Sequence, residues 1–357
     1  METITLKDLG YTAELEAFRK EKSLESFGVA RVILEHKDRY IVKTENKELS
    51  AELIGNLRFT AESKKDLPVV GDWVAISEYD SDKALIHSVY PRHSLLERQA
   101  VTKSSQSQII AANIDYGFIV QSINRDFNIN RLERYITICH TAKVIPIIIL
   151  SKIDLIAASN LEEALTQIKD RIKEVEVLPI SNLNQEGIEK LEVKLIPGKT
   201  YCLLGSSGVG KSTLINSLTG TVLMQTGAIS EGIDRGKHIT THRELVLLKK
   251  GILIDNPGMR EVGITKASAG LESTFEEIVS LGQQCKFSNC THTHEKGCKI
   301  QNALNNGEID EDSYANYLKM QKESAFFESS LEEKKKKEKN LGKMIRTVQK
   351  QRRRDKY

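Results

Sequence analysis

The chain is 357 residues long, 39% hydrophobic and 28% charged, with a formal net charge of +3. That composition fits a globular protein of two or three domains, and no apolar run approaches the ~20 residues that span a membrane. The opening stretch, METITLKDLG, has no apolar secretory region, so the expected place is the cytoplasm, off the membrane.

Residues 1–26 read as helical. From Phe27 to Glu97 come short β-runs: GVARVILE, RYIVKT, KELSAEL, GDWVAI and ALIHSVY. Strands so short and so closely spaced predict a small barrel. An OB-like barrel of about five strands fits, and an SH3-like barrel gives a similar pattern. Residues 1–98 are therefore expected to form a helix plus an OB-like barrel.

From Ile109 the rhythm changes. Apolar strands (YGFIVQSI, VIPIIIL, VEVLPI, KTYCLLG) alternate with helices that place Ile129, Leu132, Ile136 and Cys139 on one face, then cover 161–173, 187–195 and a segment from Lys211. ELVLLKKGILIDNPG closes the series as a hairpin. Such alternation predicts a mostly parallel α/β sheet over 99–262, with ligands at the carboxyl ends of its strands. Beyond, residues 263–357 read as a mostly helical unit, with a helix near 269–281, a Cys/His cluster and a basic tail.

Gly205-Ser206-Ser207-Gly208-Val209-Gly210-Lys211-Ser212 fits the phosphate-loop pattern G-x-x-x-x-G-K-[ST] and sits between a strand and a helix, the context that pattern requires. Its glycines let backbone N–H groups wrap phosphates, and the helix N-terminus adds its dipole. Lys211 is expected to reach the β- and γ-phosphates, Ser212 to hold Mg²⁺, and Thr213 to join the nucleotide contacts.

The base is expected to be read upstream. Ser151-Lys152-Ile153-Asp154 follows a buried strand and is close to the N-K-x-D motif, whose aspartate accepts from the guanine N1–H and 2-amino group. Adenine lacks that donor pair, and a site built to pair a polar edge rejects analogues that leave it unpaired. The stem of Lys152 can cover the base plane. Serine at position 151 offers one hydroxyl in place of an amide, which predicts weaker nucleotide affinity and unchanged base choice. Ile180-Ser181-Asn182 follows the next strand and fits a short loop whose N–H groups approach guanine O6. Downstream, Asp255-Asn256-Pro257-Gly258 ends a strand as a D-x-P-G-like element. Its Asp255 would orient Mg²⁺ through water and its Gly258 N–H would sense the γ-phosphate. Between lies Gly236-Lys237-His238-Ile239-Thr240-Thr241, where a switch threonine, Thr241, is expected to complete Mg²⁺ coordination. The order along the chain is thus base motif, base loop, phosphate loop, switches.

Cys139 and Cys202 stand alone in apolar segments and read as buried hydrophobes. Cys285, Cys290 and Cys298 fall within fourteen residues, with His292 and His294 among them. In a chain without a secretory signal this favours a metal over disulfides. Three thiolates and one imidazole suit one structural tetrahedral Zn²⁺.

Taken together, GDWVAI, AANIDYGFIV, LSKIDL, GSSGVGKSTLIN, GKHITTH, DNPGMRE and C-x4-C-x-H-x5-C closely resemble the RsgA (YjeQ) family of circularly permuted ribosome-assembly GTPases, from about Val29 onward. The resemblance implies GTP hydrolysis stimulated by the small ribosomal subunit, a role in its late maturation, contact with its rRNA, and His292 rather than His294 as the fourth zinc ligand. The expected state is a monomer. Two positions depart from the family pattern, Ser151 and Asn256, and bear on affinity and turnover. The glutamine that many GTPases place after D-x-P-G is here Met259. His238 is the candidate to orient the attacking water; the rival reading is that it packs or contacts RNA. Slow intrinsic hydrolysis follows. An RNA-binding zinc protein with a nucleotide-gated, barely hydrolytic site is the alternative function; an ATP-dependent kinase is disfavoured by the S-K-I-D string.

Charge is unevenly spread. Residues 332–357 carry twelve Lys/Arg against four Asp/Glu, a net +8, which leaves −5 for the rest. Such a run is either a solvated helix or a phosphate-binding tail, and an OB-like barrel beside it favours RNA. Deleting 332–357 is expected to weaken small-subunit binding and flatten its salt dependence. Identical binding at several salt concentrations would refute the tail's role.

Overall fold

The computed structural model describes residues 4–36, 39–99, 107–124, 127–220, 244–255, 267–328 and 333. It divides into two compact units, one of residues 1–97 with 109–262, the other of residues 98–108 with 263–357.

Among the described residues, the N-terminal segment is helical only over α1 (Ala13–Glu21). Thr12 caps it by accepting from Leu15 N–H, and acidic Glu14 and Glu16 complement the helix dipole. The expected helix over 1–26 is shortened because Gly10 (φ +86°) and Ser23 (φ +53°) turn the backbone on either side. Five strands follow: β1 (Gly28–His36), β2 (Arg39–Lys43), β3 (Glu48–Leu53), β4 (Trp73–Asp80) and β5 (Lys83–Val89). A short helix, α2 (Gly55–Thr60), lies between β3 and β4. Pairing runs β1–β2–β3–β5–β4 and returns to β1, with β3–β5 parallel, so the barrel is closed and OB-like. Alternate residues Ala30, Val32, Tyr40, Val42, Leu49, Ala51, Val74 and Ile76 fill it.

Strands β6 (Leu95–Gln99) and β7 (Ser107–Ala112) form a separate two-stranded ladder. The α/β part then unfolds in order: β8 (Tyr116–Ser122), α3 (Ile129–Thr141), β9 (Ile145–Ser151), α4 (Ala158–Arg171), β10 (Glu176–Pro179), α5 (Ile188–Val193), β11 (Thr200–Leu204), α6 (Lys211–Thr219), β12 (Glu244–Leu247) and β13 (Ile252–Asp255). In space the strands run β10-β9-β8-β11-β13-β12, all parallel except the β12–β13 hairpin. The pleat of β8 and β9 feeds two cores. Ile119, Ile148 and Leu150 meet α3 and α4 through Leu132, Ile136 and Ile168. Phe118, Val120, Ile147 and Ile149 meet α5 and α6 through Leu191, Leu214 and Leu218. Helices thus cover both faces, as the alternating pattern predicts.

The barrel and this sheet are continuous. Leu34 of β1 pairs with Glu244 of β12. Beneath that junction lies Arg31, only 1% exposed. Its guanidinium donates to Leu9 O (2.5 Å), Gly71 O (3.2 Å), Asn113 O (3.2 Å) and Thr200 Oγ1 (2.8 Å) and lies 5.6 Å from the Trp73 ring. Burial lowers its pKa to about 10, opposed by the charges of Asp115 and Asp72. Asp72 is itself fully buried and held by both Arg92 Nε (2.8 Å) and Nη2 (2.6 Å).

The second unit holds α7 (Ser268–Thr274), α8 (Glu276–Gln283), α9 (Lys299–Asn305) and a helix over 311–328, α10. Sequence periodicity merged α7 and α8 into one helix; the break falls at Phe275 (φ −118°, ψ 40°), whose ring is buried in the local core with Leu271, Ile278, Ile300 and Met320. Among the described residues no helix is long and apolar enough to cross a membrane.

Arg31→Met is expected to lower the unfolding free energy by about 3 kcal/mol or more, because three buried carbonyls lose their charged donor. Urea titration of both proteins measures it; a loss under about 1 kcal/mol would show the network to be dispensable.

Candidate nucleotide site and metal cluster

Every motif strand of the α/β sheet ends on the same edge. The carboxyl end of β9 delivers Ser151. Lys152 then adopts a left-handed conformation (φ +63°) and starts a short turn over Ile153–Leu155 that contains Asp154. Strand β10 leads into Ser181 and Asn182, β11 into the loop 205–210, and β13 ends at Asp255, which is buried.

The loop after β11 needs its glycines for space as well as conformation. At Gly205 (φ +141°) a Cβ would lie 2.2 Å from Val120 O of the neighbouring strand, closer than any side chain could stand. Gly210 (φ +97°) turns the chain into α6. Lys211, the first helical residue, folds its ammonium back onto the Gly205 carbonyl (2.8 Å) and the Ser206 carbonyl (2.5 Å), at the mouth of the loop. Ser212 is exposed at the helix start and Thr213 half-buried.

Base motif, base loop and phosphate loop are tied together directly. The Ser151 hydroxyl, fully buried, donates to Val209 O at 2.6 Å. The Asn182 amide donates to Gly210 O at 3.3 Å. The Ser181 hydroxyl donates to Asp154 Oδ1 and accepts from Leu183 N–H (3.2 Å) and Asn184 N–H (3.4 Å). Ser181's own N–H is taken by Glu186 O (2.9 Å), so the serine serves through its side chain. Ile153 N–H also reaches Ile180 O (3.3 Å). The structure therefore brings together Ser151, Asp154, Ser181, Asn182, Val209, Gly210 and Lys211. His238, Thr240, Thr241 and Gly258 lie outside the described residues, as do Asn256 and Met259.

In the second unit, Cys285, Cys290, His292 and Cys298 converge, their ligand atoms all within 4.8 Å of one another, and could hold a metal ion. His294 is exposed and not in the cluster. Cys298 caps α9, its sulfur accepting from Gln301 N–H (3.4 Å), and Cys285 Sγ accepts from Lys299 N–H (3.3 Å). Burial raises the Cys285 thiol, but the N–H groups of Lys299 and Ile300 and the neighbouring thiols outweigh it and leave it below its ordinary value. Cys290 moves the other way, pushed up to about 11 first by burial. Gln301 Nε2 donates to His292 O (2.6 Å), pinning the ligand turn at His292, whose φ is +59°.

A family model described as "RsgA GTPase" matches residues 89–265. A protein of Listeria monocytogenes serotype 4b named "Small ribosomal subunit biogenesis GTPase RsgA 2" is 45% identical over 325 residues, covering 90% of each chain. The chain belongs to the RsgA GTPase family. Other RsgA relatives include one from Opitutus terrae, 36% identical with 90% of each chain covered, and one from Methanosarcina acetivorans, 38% identical with 89% of this chain and 85% of that one covered. The crystal structure of YjeQ from Thermotoga maritima superposes with a TM-score of 0.62 at 24% identity, over 85% of this chain and 98% of that one. YloQ, titled a circularly permuted GTPase, gives 0.60 at 21% identity, over 86% and 96%. They share the permuted fold. A second model, described as "ABC transporter", matches residues 188–352. That stretch contains the phosphate loop, a feature both nucleotide-binding classes use. As an RsgA family member the chain is a GTP hydrolase.

Asp154→Asn is expected to raise the Kd for GDP about 100-fold or more, since two charge-assisted hydrogen bonds are lost. The new amide donates where xanthine carries a C2 carbonyl, so xanthosine diphosphate should gain. Competition titration with both nucleotides measures this; unchanged GDP affinity would remove Asp154 from base reading.

Proposed function

We propose that this GTPase serves late maturation of the small ribosomal subunit, hydrolysing GTP to GDP and phosphate chiefly when the subunit completes its catalytic site. The observation that carries the nucleotide part is the set of direct hydrogen bonds from Ser151 and Asn182 to the phosphate loop, with Ser181 holding Asp154 beside them. They assemble a base reader and a phosphate loop whose order along the chain is reversed. The named relatives and the +8 of residues 332–357 support the partner. Contact with rRNA through the barrel and tail, a monomeric state and a cytoplasmic place belong to the same reading.

In this site Lys211 neutralises the β- and γ-phosphates and loop N–H groups hold their oxygens. Ser212, Thr241 and Asp255 are oxygen donors of the kind Mg²⁺ prefers, the ion supplying charge at the transferring phosphoryl group. Gly258 N–H would serve the γ-phosphate, and Thr241, next to Thr240 in the chain, would help hold the Mg²⁺. His238 orients the attacking water, because Met259 has no hydrogen-bonding group for it.

The cysteine cluster fits zinc by distance. Tetrahedral zinc with bonds of about 2.3 Å to sulfur and about 2.05 Å to nitrogen sets sulfurs about 3.8 Å apart and nitrogen about 3.6 Å from sulfur. Cys285 and Cys298 sulfurs are 3.9 Å apart, and His292 Nδ1 lies 3.5 and 3.4 Å from them. A closed four-ligand set is structural, and it anchors a segment with a small core.

Phosphate release with purified small subunits, large subunits and neither tests the function. Slow turnover alone and marked stimulation by small subunits are expected; equal rates in all three would end the proposal. His238→Ala should bind GTP normally yet lose the stimulation, and undiminished turnover would exclude His238. Elemental analysis of protein purified without chelators should give one zinc per chain, lost in Cys290→Ser. Finding none in the parent protein would dismiss the zinc assignment.

A further inference from the structure

The base-reading motif normally opens with asparagine, whose amide has two N–H donors; here Ser151 has one, and it is spent on Val209 O (2.6 Å). The next carbonyl along the phosphate loop, Gly210 O, is held from a different element. Besides the first backbone bond of α6, from Leu214 N–H (2.9 Å), it accepts a second from the side-chain amide of Asn182, in the loop after β10 (3.3 Å). We propose that Asn182 is a positioning residue of the nucleotide site, its amide clamping the base-reading loop to Gly210 so that guanine recognition and phosphate binding act as one cooperative unit. The inference rests on the GTP-binding reading of this site and names the side chain that couples its two halves.

Three observations support it. First, the contact is close-fitting: a Cβ on Gly210 would lie 3.1 Å from Asn182 Nδ2, so the amide rests against the backbone of the loop. Second, Asn182 adjoins Ser181, which holds the Asp154 carboxylate, and its own carbonyl is fixed by Gln185 Nε2 (2.8 Å). A displacement of this turn therefore moves the group that reads guanine. Third, the amide is poorly served as a packing element, since its Oδ1 is buried and accepts from none of the described groups. A buried acceptor without a donor destabilises the fold. An amide kept for stability alone would be better replaced by a smaller residue; one kept for its donor would not.

The clamp also has a geometric consequence. Val209 O and Gly210 O belong to successive peptides, and fixing both orients the peptide planes that carry the Gly210 and Lys211 N–H groups into the loop. Backbone N–H groups in this position are what cradle phosphate oxygens. Ser151 holds one plane from β9, and Asn182 adds its bond from the β10 loop to the helical one that Leu214 N–H makes to the next, so both base-side elements bear on the phosphate side.

The test uses the full-length protein with Asn182→Ala and Asn182→Asp, titrated with GDP and with inosine diphosphate, which lacks the 2-amino group that Asp154 accepts from. Asn182→Ala should weaken GDP binding about tenfold, equivalent to about 1.4 kcal/mol. It should also reduce the preference for GDP over inosine diphosphate severalfold, because a loosened turn aims Asp154 less well. Asn182→Asp, which sets a carboxylate against the Gly210 carbonyl, should be worse than alanine. The melting temperature without nucleotide should not fall in Asn182→Ala, while its rise on adding GDP should shrink. Unchanged GDP affinity and unchanged base preference would overturn the proposal. So would a lower melting temperature with base preference intact, the signature of a packing role. If Asn182→Ala fails to fold, Asn182→Ser, too short to span the gap, carries the same expectations. Parent protein that binds neither nucleotide would instead defeat the GTP-binding reading itself.

Discussion

Strand β1 is asked to satisfy two sheets at once. Its first half, Gly28 to Arg31, pairs with β4 to close the barrel, and further along Leu34 pairs with Glu244 of β12. The register shift between Val32 and Leu34 bends the strand where it passes from one duty to the other. Arg31 sits at that bend as a buried cation. It is affordable only because carbonyls from the N-terminal segment, the barrel and the β7–β8 turn, with the Thr200 hydroxyl, surround it. The barrel and the α/β sheet are thereby one compact body with a shared core in which Ile33 of the barrel packs with Leu245 and Ile254.

This continuity bears on how the nucleotide site communicates. Strand β12 follows residues 221–243, where the switch threonine is expected, and β13 ends at Asp255, the first residue of the D-x-P-G-like element. Both strands belong to the hairpin that touches β1. Along the chain, the D-x-P-G-like element leads toward the cysteine cluster; through hydrogen bonds, the strands flanking the switches lead to the barrel. The two candidate RNA-binding parts are therefore joined to the expected switch segments by different means, one covalent and one through a sheet.

The reversed motif order costs the site nothing because a parallel sheet collects its loops by space. Strands β8 and β11 are far apart in sequence yet adjacent and parallel, with Tyr201 opposite Tyr116 and Leu204 opposite Ile119. That pairing joins the half carrying the base motif to the half carrying the phosphate loop. Much of this was legible beforehand. The glycine spacing at 205–210, the strand-ending S-K-I-D and the C-x4-C-x-H-x5-C spacing each encode a local geometry that few alternatives share. The OB-like barrel was expected from its closely spaced strands, a pattern an SH3-like barrel shares; the parallel β3–β5 pairing, which joins segments separated by the α2 excursion, is visible only in space. The long N-terminal helix was misread because periodicity there continues through residues that Gly10 and Ser23 turn out of the helix. Arg31 gave no warning at all: one arginine in a strand looks like a solvated edge residue until four acceptors are found around it.

The sequence by itself determined the candidate chemistry of this protein: a phosphate-loop pattern, an aspartate proposed to select guanine and a Cys₃His set that could hold a metal ion, all carried by short contiguous strings whose backbone geometry is local. Only the tertiary structure decided how those strings meet. Ser151 looks in sequence like a weakened asparagine, yet in space its hydroxyl still holds Val209. Asn182 reads in sequence as part of a loop that meets the base through its backbone, yet its side chain reaches the next carbonyl. His292 and His294 were equivalent as residue types, and the turn at His292 brings only the first into the cluster. In each case the deciding quantity is a distance between groups remote in sequence or oriented by a single turn, and residue identity and spacing do not carry that distance.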